Sequence, residues 1–217
     1  MKILLFGATG RTGKLILQKA IKDGHRVTAI VRDPSRLNEP NANIIKGTPY
    51  DKETVKQAIN NCDVVISTLN VSRISDSPWA KLRSPKDMIS RSIKNALETM
   101  PENNTKRVIV MGVLGAGESK KKMPLIVKMI INLSNLKYAF DDHTRQEELL
   151  ARSDADWTVV RLPMLTEEDG EKNIIIKKLN DETKLNRKIN RESVARFILN
   201  ILKDENYYKS IVAVSNK

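Results

Sequence analysis

Gly7, Gly10 and Gly13 recur at every third position near the start of the chain, within Gly7-Ala8-Thr9-Gly10-Arg11-Thr12-Gly13. An apolar run, Ile3-Leu4-Leu5-Phe6, precedes them, and a helical pattern from Lys14 to Ile21 follows. A strand that turns through glycines into a helix makes an anion cradle. Gly7 and Gly10 let the backbone turn tightly and approach a phosphate, Gly13 lets the helix pack on the strand, and the helix's free N–H groups point at the negative charge. The chemistry this suits is binding of a dinucleotide pyrophosphate. The spacing is G-x-x-G-x-x-G rather than G-x-G-x-x-G, and a plain strand-to-helix turn is the alternative reading. The motif's place as the first element, with a second strand at the right distance, favours the dinucleotide.

That second strand, Arg26–Val31, runs into Arg32-Asp33-Pro34-Ser35-Arg36. In an NAD-specific site an acid about 20 positions beyond the glycines accepts the ribose hydroxyls. Here the strand tip, nineteen past Gly13, is Arg32. A guanidinium there pairs with a 2′-phosphate, while Ser35 adds a hydroxyl and Arg36 more charge. NADP(H) is therefore expected in preference to NAD(H). Asp33 keeps NAD(H) open, and Arg32 and Arg36 also read as solvated loop charges.

Residues able to move a proton are few. The chain has two histidines; His25, just before the second strand, reads as a surface turn residue. His143 and Tyr138 are the candidate catalytic residues, each with a structural alternative: a helix-start histidine, and a packed or lid-forming tyrosine. Asp142 does not orient His143, because consecutive helical residues point about 100° apart. The single cysteine, Cys62, begins a buried strand and reads as core. No metal site is expected.

Strand and helix signals alternate along the chain, which predicts an α/β fold with a doubly wound parallel sheet and helices on both faces. A third strand falls at 43–46, closed by Gly47, and Asp51 caps a helix through Val55 and Ile59. The fourth strand is 63–69, and a polar loop covers 70–83. Ser84 as cap, Pro85 and Asp87 predict the start of the next helix. Arg107–Val113 is the fifth strand. The apolar stretch 124–136 reads as a core or lid helix, with an interfacial helix behind Lys120-Lys121-Lys122 as the alternative. A charged helix follows at 141–152, then a strand, Asp156–Leu162, stopped by Pro163. An extra strand or hairpin lies near 174–176. Asn190 caps a last helix, and the chain closes with a strand at 211–214. The expected organisation is one domain over 1–217, with 119–140 as a lid or substrate-side insertion and a small C-terminal substrate-side region.

A length of 217 residues suits such a domain, and 40% hydrophobic residues is ordinary for a globular chain. No run approaches the ~20 apolar residues that span a bilayer. Met1-Lys2-Ile3 leads straight into a core strand, so no signal peptide and a cytoplasmic location are expected. The net charge of +12 is scattered apart from the one lysine run, and aromatics at 4% leave few stacking platforms for single strands. A dinucleotide and a small aromatic or planar substrate are the expected partners. Nucleic acid and stable membrane insertion are not expected, and monomer and dimer both remain open.

Taken together, Gly7 to Gly13, Val31 to Arg36, Asp141-Asp142-His143 with Glu147 to Leu150, and Asp156 to Pro163 carry a family resemblance. The chain resembles the atypical short-chain dehydrogenase/reductases described as NAD(P)H-binding or NmrA-like, near the flavin reductase/biliverdin reductase B branch. The resemblance covers nearly the whole chain. It implies a Rossmann-type fold of about seven strands, with Thr9, Arg11 and Thr12 at the pyrophosphate and Arg32 at the 2′-phosphate. It also implies Thr68 and Leu69 near the ribose, and the strand ends around Gly112-Val113 and Pro163 flanking the nicotinamide.

The departures bear on the chemistry. The larger superfamily uses Tyr-x-x-x-Lys, in which lysine lowers the phenol's pKa. Four residues after Tyr138 stands Asp142, and a carboxylate acts the other way. The branch's serine near the end of the fifth strand is Val113 here, its histidine after the sixth-strand proline is Met164, and the usual glycine-aspartate after the third strand reads Gly47-Thr48. Alcohol dehydrogenation and sugar-nucleotide epimerisation are thereby disfavoured. Hydride transfer to a flavin, quinone or tetrapyrrole stays open, because solvent supplies the proton. The expectation is an NADP(H)-binding oxidoreductase reducing such an acceptor. The alternative is a non-catalytic NADP(H)-binding redox sensor acting through a protein partner.

Overall fold

Ile3 and Leu5 join the buried cluster on one face of the central sheet, and Leu4 and Phe6 join the cluster on the other. Alternate residues of a strand face opposite sides, so β1 (Lys2–Phe6), buried throughout after its first residue, is covered twice. One cover is α1 (Arg11–Lys22) with α6 (Arg191–Asn200), which supply Ile16, Leu17, Val194 and Ile198. The other is α2 (Lys52–Ile59), α3 (Met88–Thr99) and α5 (Leu136–Ala151), which supply Val55, Ile59, Ile93 and Leu150. The computed structural model describes residues 1–179 and 181–217, apart from the Lys122 side chain.

The main sheet runs β3 (Ala42–Lys46), β2 (Arg26–Val31), β1, β4 (Val64–Ser67), β5 (Arg107–Val113), β6 (Asp156–Leu162), β10 (Ser210–Asn216) and β8 (Ile174–Lys178). The first seven of these are parallel. They are the seven strands expected, and residues 174–178 add an eighth, antiparallel to β10. A separate pair, β7 (Met164–Thr166) and β9 (Lys188–Asn190), lies parallel. This is a Rossmann-type α/β fold. β1 pairs with β2 on one side and β4 on the other, Ile3 facing Val27 and Val64. The chain travels outward to β3 and returns to β4, so the strand order reverses there and a crevice opens beyond the strands' carboxyl ends.

Several local expectations are corrected. α3 starts at Met88, not after Ser84, and its N-cap residue Asp87 makes no side-chain cap. The acceptor comes from α5 instead: Ile89 N donates to Asp142 Oδ2 at 2.7 Å and Ser90 N to Oδ1 at 3.3 Å. Ser84 Oγ accepts from Ser72 N in the preceding loop. Asn190 stands at the N-cap of α6, yet its amide donates to Glu168 O and Gly170 O rather than capping. α5 begins at Leu136 rather than 141, which puts His143 in its buried interior instead of at a helix start. The apolar stretch forms a short helix, α4 (Leu125–Asn132), in which only Ile131 is buried. It is not a core helix. No helix among the described residues is long and apolar enough to cross a membrane.

Candidate functional site

A cleft of about 570 Å³ lies across the carboxyl ends of β1, β2, β4, β5 and β6. The glycine turn forms its floor. Gly7 has φ +84°, and a Cβ there would sit 2.6 Å from Thr68 Oγ1, so only glycine serves. Thr68 Oγ1 donates to Phe6 O at 3.0 Å, tying the tip of β4 to the end of β1. Gly10 is the N-cap of α1, without a side-chain cap and without an acid in the first turn. The opening N–H groups of a helix have no acceptor within it. Here those of Arg11, Thr12 and Gly13 belong to residues that border the cleft. The turn therefore has the shape and the donors for a diphosphate.

Arg32 borders this cleft and also, with Thr9, a neighbouring cavity of about 300 Å³. The other walls of that cavity are Asp33, Arg36 and Arg83, so three arginines border one space. Ser35 lines neither cavity. Its N–H and Oγ donate to Asp33 Oδ1 at 3.2 and 2.7 Å, and the hydroxyl bond, ahead of the backbone bond, holds the Asp33 carboxyl below its usual range.

At the opposite end the walls are Met111, Gly112, Val113, Leu162, Pro163 and His143. Burial pushes the His143 imidazole down to about 4, so it is neutral at pH 7. Its Nδ1 lies 3.5 Å from Gln146 Nε2, which donates to Met111 O at 3.2 Å. Beneath Gly112, Arg161 donates twice to Glu147, at 2.9 and 2.7 Å, and also to Glu118. Burial opposes the charge on Arg161, but the bonds to Glu118 and Glu147 outweigh it and hold the guanidinium's pKa above its ordinary value. Two residues that carried the family resemblance, Glu147 and Arg161, are thus one buried ion pair that fixes β6 to α5.

Leu69 also lines the cleft, so Gly7, Thr9, Gly10, Arg11, Thr12, Gly13, Arg32, Thr68, Leu69, Gly112, Val113, Pro163 and His143 all meet around it. Arg36 meets only the side cavity. Tyr138 borders neither. It packs beside Val71, Ile89 and Ala139, with Lys86 Nζ 4.2 Å from its ring centroid. The hydrogen bond with Lys86 draws the phenol below its usual pKa. This is the influence a lysine has in a tyrosine–lysine pair, supplied from the loop before α3. Cys62 is buried, and burial pushes its thiol up to about 11.

Some of the cleft was not anticipated. Arg191, at the start of α6, donates to Thr12 Oγ1 at 3.1 Å and to Glu167 Oε1 at 2.9 Å. Arg11 donates to the same Glu167 oxygen at 2.9 Å. Those two arginines, Arg191 first, hold the Glu167 carboxyl below its ordinary pKa. One wall comes from the loop after β4, including Asn70, Ser72, Arg73 and Asp76. The only advance signal for Arg191 was its place directly after the helix-start residue Asn190.

A family model described as NAD(P)H-binding matches residues 7–205. Reductase pytE of Aspergillus terreus is 26% identical over 236 aligned residues, covering 90% of this chain and 89% of its own. Phenylcoumaran benzylic ether reductase TP7 of Nicotiana tabacum is 34% identical over 87 residues, covering 35% of this chain but only 28% of that enzyme. Among solved structures, the anaerobillin reductase ChuY of Escherichia coli O157:H7 superposes with a TM-score of 0.79 at 19% identity, covering 100% of this chain and 97% of its own. That last likeness is one of fold.

Proposed function

The chain belongs to the NAD(P)H-binding family, and on that premise we propose that it is an NADP(H)-dependent reductase of a small planar acceptor: a flavin, quinone or tetrapyrrole. The observation that carries this reading is a single cleft joining the glycine turn and Arg32 at one end to Gly112, Pro163 and His143 at the other. The first turn of α1 holds the diphosphate, with Arg11 and Arg191 as nearby cations. Arg32, with Arg36 and Arg83 around the side cavity, takes the 2′-phosphate and sets the preference for NADP(H).

When bound, the nicotinamide supplies the hydride. Val113 and Pro163 flank the space it occupies, and their apolar surfaces favour a flat ring over a hydrated polyol. His143, neutral and buried, offers a hydrogen bond to the acceptor's carbonyl or ring nitrogen without adding charge. Tyr138 does not border the cleft, so this reading gives it no part in proton transfer. Residues 1–217 act as one dinucleotide-binding unit. Segment 119–140 packs on Gly115, two residues past the end of β5, where a Cβ would meet Met123 at 2.5 Å and Phe140 at 3.0 Å, and contributes no wall to the cleft among the described residues. The reductase name borne by pytE supports the same class of reaction.

The test is a fluorescence titration with NADPH, then NADPH oxidation followed with FMN, a soluble quinone and a linear tetrapyrrole in turn. Binding with oxidation by at least one acceptor supports the reductase. Binding without any oxidation transfers the case to the redox sensor, and no binding overturns both.

A further inference from the structure

The helix α4 exposes apolar side chains that the fold does not cover: Leu125 is 77% exposed, Ile126 72%, Met129 60% and, just past the helix, Leu133 73%. A patch of this kind on a soluble chain marks an interaction surface. It continues into the loop before α3. Asn135 N donates to Pro78 O at 2.9 Å and its amide to Trp79 O at 3.1 Å, which places Trp79, 62% exposed, beside the end of α4. Ile74, in the same loop, is exposed as well.

Along the segment that carries α4 the charge has one sign. From Ser119 to Phe140 the sequence holds five lysines (Lys120, Lys121, Lys122, Lys128 and Lys137) and not one Asp or Glu. Lys128 Nζ donates to Lys121 O at 3.1 Å, so the lysine loop lies along the helix. We propose that α4, with Leu133 and Trp79, is a docking face for an anionic lipid bilayer, on which the chain lies without spanning it. Aliphatic side chains enter the acyl boundary, tryptophan sits at the headgroup level, and lysines reach anionic headgroups. A symmetric contact between two copies is the lesser candidate, because a two-fold axis near the patch would set the lysine cluster against itself. The inference stands independently of the cofactor.

The test uses the full chain with vesicles of phosphatidylcholine alone and of phosphatidylcholine mixed with phosphatidylglycerol. Co-sedimentation is expected to be at least about tenfold stronger with the mixed vesicles and to weaken with salt. Trp79 emission is expected to shift to the blue on binding, a change that Trp79→Phe removes while the buried Trp157 stays silent. The triple variant Leu125→Gln, Ile126→Gln, Leu133→Gln is expected to lose vesicle binding by at least about tenfold. Its circular dichroism and NADPH titration are expected to match the parent. Absence of vesicle binding, or equal binding by the triple variant, overturns the proposal. So does a concentration-dependent dimer that the same substitutions abolish. NADPH titration is read separately, so loss of cofactor binding leaves this result intact.

Discussion

Gly13 is packed against Gly7 so closely that a Cβ on Gly13 would lie 2.0 Å from the Gly7 carbonyl oxygen and 2.8 Å from its carbonyl carbon. Backbone meets backbone here, so no rotamer change relieves the contact. The first turn of α1 is thereby pressed onto the end of β1, and its N–H groups are fixed relative to the cleft. Gly13→Ala must move the helix or the turn. A destabilisation of about 1–3 kcal/mol is expected from overpacking, read as a lowered urea midpoint. NADPH affinity falls by at least about tenfold as the donors shift. Unchanged affinity would show that the diphosphate does not rest on this turn.

Arg32 reaches both the main cleft and the side cavity, where Arg36 and Arg83 join it. Arg32→Ala is expected to weaken NADPH by about 1–3 kcal/mol more than NADH, since a charge-assisted bond to the 2′-phosphate is lost. Arg83→Ala is expected to act in the same direction and less strongly. Isothermal titration with both nucleotides reads the difference. Equal losses for both nucleotides would place the 2′-phosphate elsewhere.

What the sequence made legible was what lies close together along the chain. The strand, glycine turn and helix from Ile3 to Ile21, and Arg32 at the next strand tip, follow from local pattern, and the fold places them as read. Asp51 also caps α2 as expected, its carboxylate accepting from Thr54 N. The missed features depend on partners far away. Arg191 reaches Thr12 across 179 positions, and Asp142 reaches Ile89 across 53. For the stretch 124–136 the core reading failed for another reason, while the lid and interfacial readings were left standing. Its apolarity is that of a core helix, and sequence alone does not show that the face stays uncovered.

The capping of α3 by Asp142 sets a further expectation. Asp142 is fully buried and accepts from Ile89 N, Ser90 N and Ser90 Oγ, so it stands in for a cap that α3 lacks in its own sequence. Asp142→Ala leaves those donors buried without an acceptor, at a cost of about 1–3 kcal/mol. Denaturant melts should record that loss. NADPH affinity should hold, because Asp142 does not line the cleft. A fall in affinity with little change in stability would instead give Asp142 a part in the site.

His143 makes stability depend on pH with a definite sign. Its imidazole is held down at about 4 by burial, against about 6.5 in the unfolded chain. Between these values the unfolded state binds the extra proton, so stability rises with pH. The contribution is complete above about pH 6.5 and is lost progressively as pH falls through about 4. Between pH 7 and pH 5 the loss amounts to about 2 kcal/mol. His143→Gln removes the titration and leaves the carboxylates in place. Urea melts of both proteins at the two pH values isolate it: the parent is expected to lose about 2 kcal/mol more than the variant. Equal losses would mean that the imidazole is protonated as readily in the fold as in water, and its neutral role at the acceptor end would fail with it.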